Sequence, residues 1–327
     1  FFDPKGLSSK FLAQWAMDTI GAIWAFSFVG RLDDSLSEAG RAALVRTGRV
    51  LDAPPTCNTS GGEEANIAVL ALDAAASMAP PGEPRIAHEL QDRLVLEKPP
   101  GWEVECDLDF VGSVDRQRGV PRQLTDYVQA LAPPRVCPIV VDSRHHYGLL
   151  HRLDVPSSGL VLAAKTYGAY YDLALQLNSG LLVREYAVLC HGWWPTERTD
   201  VVARVHWIRG AAGAPASVVL QRRGKPSCTR MRVLAHALVR GGGVAVSLLG
   251  IRIGTGRRHQ IRVHTAHAGH PTVCDGKYTA RVAFLSDHAW CLRNFLHRCR
   301  LAFLDAAGNP QEVLEPLPPD LAAALSA

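Results

Sequence analysis

Hydrophobic and polar positions change their rhythm about a quarter of the way along this 327-residue chain. Phe11, Leu12, Trp15, Ala16 and Ile20 recur at helical spacing behind Ser8 and Ser9, which can cap the run. Gly30 interrupts it, Asp33, Asp34 and Ser35 offer a second start, and 36–51 is again amphipathic. Glu63 and Glu64 fall where a helix N-terminus favours negative charge, which predicts a third helix through about Ser77. The sum is a small helical segment over 1–78, readable as the remnant of an α-helical repeat array, although no fixed period is present. Ala-Pro-Pro-Gly-Glu-Pro at 79–84 cannot continue a helix and predicts a linker over 79–92. Beyond it the texture turns to strands at 93–97, 160–164, 186–191 and 244–253, with helices at 122–131, 167–178 and 259–268. Gly269 stands where a left-handed helix cap belongs, with Pro271 just past it. Strands interspersed with helices, without regular βαβ spacing, predict an α+β domain over 93–327 built on a long, mainly antiparallel mixed sheet.

Composition adds limits. No apolar run reaches the ~18 residues of a membrane span, so no membrane partner is expected. Position 1 is Phe rather than Met, which suggests a fragment or a processed chain and leaves the compartment open between cytoplasm and an organelle. Eight scattered cysteines contain no C-x-x-C pair, an intracellular pattern of reduced thiols rather than a zinc ribbon or a disulfide framework. Asn58-Thr59-Ser60 fits a glycosylation triplet, discounted in the absence of a secretory signal. Charge is placed unevenly: 204–300 holds 17 Lys and Arg against only Asp275 and Asp287. So long a basic stretch points to a polyanionic partner, and nucleic acid is the first choice.

Four segments carry candidate chemistry. His151-Arg152-Leu153-Asp154-Val155-Pro156-Ser157-Ser158-Gly159-Leu160 puts a carboxylate on a turn feeding an apolar strand. Taken alone, Asp154 reads more readily as a turn former than as a functional group on a loop. Val183-Arg184-Glu185-Tyr186 heads another strand with an aromatic. Gly254-Thr255-Gly256-Arg257-Arg258-His259-Gln260-Ile261-Arg262-Val263-His264 is a glycine-hinged turn entering a basic helix, whose N-terminus can receive phosphate. Asn294-Phe295-Leu296-His297 with Leu301 and Phe303 closes the series, followed by Glu315-Pro316-Leu317-Pro318-Pro319-Asp320. In this order the segments resemble the signature of the RluA-type pseudouridine synthase family over about 93–325, here as a eukaryote-like member. Val155 and Pro156-Ser157 depart from the commoner family residues, and 1–92 does not resemble the small RNA-binding module of many bacterial relatives.

The resemblance implies a pseudouridine synthase fold and a cofactor-free isomerisation of uridine in rRNA, tRNA or mRNA by a monomer. It implies Asp154 as nucleophile, Tyr186 as the aromatic on the reacting base, and Arg262 as the partner of the aspartate. Arg152 would enter the RNA as the uridine leaves it. Lys98, Arg257, Arg258, His259 and Gln260 complete the expected RNA-contacting set. These roles fit the chemistry, because a carboxylate beside Arg⁺ stays ionised and a target base must leave its stack. Unstacked uridines in single strands or loops are the expected substrate form. Two rival readings stand beside this one. His259, His264, His267, His270 and Cys274 could suggest a metal centre, but no acid separates them in the zinc-protease pattern, so no metal is expected. An RNA-binding protein that has lost catalysis is the other.

Overall fold

The computed structural model describes residues 70–72, 82–104, 122–208, 217–239 and 243–326. In chain order these form β1 (Leu70–Leu72), β2 (Arg85–Glu89), β3 (Arg93–Lys98), β4 (Trp102–Glu103), β5 (Arg122–Gln123) and α1 (Leu124–Leu131). Then come β6 (Ser158–Ala164), α2 (Tyr167–Ser179), β7 (Val183–His191), β8 (Asp200–Val202), β9 (Val205–Trp207) and β10 (Ser217–Val219). The chain ends through β11 (Cys228–Val239), β12 (Ala245–Ile253), α3 (Gln260–His267), α4 (Arg281–Asp287), β13 (Leu296–Leu304), β14 (Pro310–Leu314) and α5 (Pro319–Ser326).

One ten-stranded mixed sheet carries the domain, in the order β1-β11-β12-β7-β13-β6-β3-β2, with β8 added on β11 and β14 on β13. Only β1–β11 and β6–β13 pair in parallel within it. The expected α+β sheet is therefore present, and its four expected strands appear as β3, β6, β7 and β12, the first three slightly longer than expected and β12 starting one residue later. All seven residues of β6 are buried, as an unbroken apolar run in a sheet centre requires. β11 escapes the periodicity because a bulge between Val233 and Ala235 shifts its alternation.

Two expectations change. Leu70–Leu72, placed in a third helix by sequence, pairs with Ala237–Val239 as a strand, since the open edge of β11 offers ladder bonds that an isolated helical turn lacks. Arg85–Glu89, inside the expected linker, is an edge strand on β3, where Arg85 also pairs with Glu97 and Glu315. The other expected N-terminal helices lie outside the described residues.

The parallel meeting of β6 and β13 fixes the geometry around the candidate site. Gly159 has φ +118°, and a Cβ there would lie 2.2 Å from Arg298 O and 2.6 Å from Arg298 N. Only glycine accepts both the backbone angle and the approach. Ser158 Oγ and His297 Nδ1, paired across the same register, are 2.9 Å apart. One buried cluster packs Leu94, Leu96 and Leu160 with Leu124 of α1 and Leu173 of α2. A smaller one packs Trp290 and Phe295 with Leu321 and Ala324 of α5. Gly159→Ala should therefore cost roughly 3 kcal/mol or more, from a backbone clash added to a left-handed strain. Urea unfolding checks this, and a loss below about 1 kcal/mol would show that β6 and β13 can part without cost.

Candidate active site

Asp154 sits on the turn just before β6, and three groups hold that turn from outside. Lys98 Nζ donates to Pro99 O and Trp102 O, both at 2.9 Å, and more weakly to Val155 O at 3.4 Å. Gly101 N donates to Val155 O at 2.8 Å. Arg293, paired with Asp320, donates to Pro156 O at 3.1 Å and Ser158 Oγ at 3.0 Å. The carboxylate is thus carried on a loop whose carbonyls are tied to β3 and to the segment before β13.

Arg262 reaches it from α3. Its Nη1 donates to Asp154 Oδ2 at 2.8 Å, while Nε and Nη2 grip Asp275 Oδ2 and Oδ1 at 2.7 and 2.6 Å. Asp275 is fully buried and also accepts from Thr272 Oγ1 and the backbone of Lys277. On the other side, His259 Nε2 stands 3.8 Å from Asp154 Oδ1. Ser217 N donates to the Tyr278 hydroxyl at 3.1 Å, and that hydroxyl lies 2.8 Å from His259 Nδ1. With Tyr278 donating onward to Nδ1, the neutral imidazole presents Nε2–H toward Asp154. Burial would raise the Asp154 carboxyl, but the positive charges of His259, Arg262 and Arg152 override it and hold the group at about 2. The same burial, with the neighbouring cations, holds His259 down to about 4. At neutral pH the aspartate is ionised and the histidine is not.

The opposite wall comes from β7 and β13. Arg298 is buried, and its Nε and Nη2 both donate to the Tyr186 hydroxyl, at 3.0 and 2.6 Å. Its Nη1 lies 2.5 Å from His151 Nδ1 and 2.9 Å from Leu160 O. Asp154, Tyr186, Arg262 and Arg298 line one cavity of about 630 Å³, together with Arg152 and the 254–258 turn. About 15% of the Asp154 side chain stays accessible, so a ligand can reach a carboxylate already held in one orientation.

Residues 93–267 match a family model described as RNA pseudouridylate synthase. The chain belongs to this family. Among relatives, the ribosomal large subunit pseudouridine synthase C of Buchnera aphidicola from Acyrthosiphon pisum is 34% identical over 194 residues, covering 59% of this chain and 54% of that protein. The ribosomal large subunit pseudouridine synthase D of Escherichia coli K12 is 31% identical over 185 residues, covering 53% of each. The chain spans about half the length of the curated relatives it matches. Human RNA pseudouridylate synthase domain containing 1 shares the fold at a TM-score of 0.55 and 24% identity, over 75% of this chain and 89% of that one. Human RNA pseudouridylate synthase domain containing 4 aligns at 0.50 and 19%, over 73% and 91%.

As a member of the RNA pseudouridylate synthase family, the chain brings together Asp154, Tyr186, Arg262 and Arg152 as the motifs suggest. It does not expose every expected RNA contact. Lys98 is fully buried and spends its ammonium on three carbonyls, so it holds the Asp154 turn rather than touching RNA. Gln260 is likewise buried: its Oε1 accepts from Thr255 Oγ1 and Arg257 N, and its Nε2 donates to Cys228 O and Thr229 Oγ1. That amide ties the 255–257 turn to the start of β11. His259 faces Asp154 instead of an outer surface. Arg257 and Arg258 remain on the cavity rim, with the Arg258 guanidinium 3.7 Å from the Trp207 ring centre.

The histidines considered as metal ligands go to separate partners: His264 between Ser227 and Thr229, His270 on His191 O, His259 on Tyr278. The linear charge of 204–300 also overstates what is free. Arg252, Arg262, Arg293 and Arg300 are paired with Glu185, Asp154, Asp320 and Glu312, all from outside that block. Sequence reading missed Asp275, Tyr278 and Arg298.

Burial also holds His264 and His297 at about 4 and His151 well below its ordinary value. Below pH 6.5 the unfolded chain takes up protons that these four folded histidines refuse. Stability should then fall with pH toward 4, by up to ~1.4 kcal/mol per unit for each. Asp154, held near 2, keeps its own contribution until more acid conditions. Urea unfolding at pH 7, 6 and 5 should show a loss of about 2 kcal/mol or more. A flat profile would mean that the imidazoles titrate normally in the folded state.

Proposed function

We propose that the chain isomerises uridine to pseudouridine in RNA, with Asp154 as the nucleophile. One observation carries this reading: an ionised carboxylate, fixed by Arg262 at 2.8 Å, in a cavity that also holds Tyr186 and the arginines of the 254–258 turn. The family name and the names of the relatives support it. Asp154 adds to the nucleotide and the N1–C1′ bond breaks. The base turns, C5 bonds to C1′, the bond to Asp154 breaks and frees the carboxylate, C5 loses its proton and N1 gains one. Uridine and product are isomers, so the balance closes on acid–base groups alone. Arg262 keeps the carboxylate ionised and in one rotamer, and the Tyr186 ring is the platform for the extruded base. Arg298 fixes the Tyr186 hydroxyl by donating to it twice, so the phenol proton is turned away from Arg298.

Arg152 enters the strand as the uridine leaves, and Arg257 and Arg258 contact phosphate at the rim. Uridines in loops or single strands suit a cavity that must take the base unstacked. The six cysteines among the described residues are unpaired, which supports an intracellular compartment.

Purified Asp154→Asn should fold and bind RNA but convert no uridine, measured by nucleoside chromatography after nuclease digestion. Arg262→Lys should lose activity although the charge remains, because lysine lacks the planar fork that spans two carboxylates. Tyr186→Phe should keep RNA affinity and lose roughly 10²-fold in rate if the hydroxyl moves a proton. Full activity in Asp154→Asn would remove the nucleophile, whereas wild-type protein that binds RNA tightly without converting it would leave an RNA-binding protein of this fold. Changing Arg257 and Arg258 together to Ala should weaken many RNAs alike and flatten the salt dependence by about 0.7 per lost contact.

A further inference from the structure

Two buried cations in the cavity wall have no carboxylate partner among the described residues. On β7, Glu185 turns to Arg252 and Arg300, so Arg184 and Tyr186 share the opposite face, about 7 Å apart along the strand. Arg184 is only 3% exposed, yet it lines the cavity. Its Nη2 meets Gly254 O at 3.1 Å and Ile253 O at a long 3.4 Å. Its Nε has no partner among the described residues. The missing side chain at Gly256 leaves the guanidinium room, for a Cβ there would come within 2.9 Å of Arg184 Nη1.

His151 repeats the pattern. Arginine can only donate, so the contact from Arg298 Nη1 makes His151 Nδ1 an acceptor and puts the imidazole proton on Nε2. That Nε2 is buried, lines the same cavity and has no partner among the described residues. Burial together with the Arg298 and Arg184 charges keeps the ring neutral. Arg298 answers with carbonyls and the Tyr186 hydroxyl rather than an acid. A fold does not hold uncompensated buried charge and idle N–H donors at no cost.

We infer that Arg184 and His151, backed by Arg298, form an anion subsite that receives a phosphate of the same RNA strand whose uridine lies on Tyr186. The spacing of Arg184 and Tyr186 along β7 is comparable to the reach from a nucleobase across its ribose to a phosphate. The assignment rests on the proposed RNA chemistry for the identity of the anion, but the subsite itself needs only the unpaired donors. Binding the phosphate supplies the counter-charge that the protein withholds, so the interaction belongs to loaded protein alone. It also gives Arg184 a role distinct from Arg257 and Arg258, which sit on the open rim.

The test is a competition against a fluorescein-labelled single-stranded oligouridylate, using uridine, uridine 5′- and 3′-monophosphates and inorganic phosphate. In wild type one monophosphate should compete roughly tenfold or more better than uridine, as expected for a charge-assisted contact. Arg184→Met should close that gap and leave uridine unchanged, while Arg184→Lys, which keeps the charge, retains part of it. Unliganded Arg184→Met should melt above wild type, because it removes a buried cation without a partner. A lower Tm with the gap intact would make Arg184 a structural prop and overturn the subsite. Inorganic phosphate competing as well as the nucleotides would overturn its assignment to RNA. If no RNA is isomerised but the Arg184-dependent gap persists, the proposed chemistry fails and the subsite stands. Isomerisation without any gap has the opposite meaning.

Discussion

A guanidinium gripped by two carboxylates inside a protein leaves one negative charge over, and the placement of that charge governs this site. Arg262 gives its fork to buried Asp275 and a single N–H to Asp154. Asp275 is further satisfied by Thr272 and the Lys277 backbone, so its charge is spent on positioning. Asp154 keeps one oxygen outside the Arg262 contact, near a histidine that is neutral at pH 7. The result is an ionised, oriented carboxylate that is not locked in a two-bond pair. Such an arrangement contributes little to net stability, since desolvation offsets much of the attraction. Its consequence is chemical.

The sheet supplies the rest of the geometry. Asp154 lies immediately before β6, Arg298 lies on β13 beside it, and the Gly159 contact sets how closely the two strands approach. Tyr186 hangs from β7, which pairs with β13, so Asp154 and the Tyr186 ring are referenced to the same three central strands. Arg262 comes from α3, 108 residues away in sequence from Asp154. Lys98 and Arg293 tie down the turn that carries Asp154. Positive charge is therefore layered. Some cations are structural ties, some are committed to acids, and only those at the cavity wall and rim remain for a polyanion.

Periodicity revealed the buried strands because their apolar runs need no tertiary context. Ordered motifs revealed Asp154, Tyr186 and Arg262 together, although Asp154 alone reads first as a turn former. What periodicity could not show was burial: Lys98 and Gln260 look like surface donors in sequence and are core ties in the fold. Their partners are backbone carbonyls, a backbone N–H and hydroxyls, which leave no trace in the pattern of the sequence. Asp275 did leave one. An acid isolated among 17 basic residues is a group whose charge is already claimed, and both Asp275 and Asp287 turn out to be buried and paired. β1 and β2 stayed hidden because short edge strands take their stability from the neighbour they extend, not from their own pattern.

The shared arginine is open to one decisive measurement. Release of tritium from [5-³H]uridine-labelled RNA in a single turnover reports the loss of the C5 hydrogen directly. Asp275→Asn keeps the shape of the buried side chain but removes the charge that holds the fork of Arg262. If that fork orients the nucleophile, the rate constant should fall by roughly 10²-fold at unchanged RNA affinity, as misplacement of a reacting group predicts. A rate equal to wild type would show that Arg262 needs no second carboxylate and that Asp154 is positioned by other means.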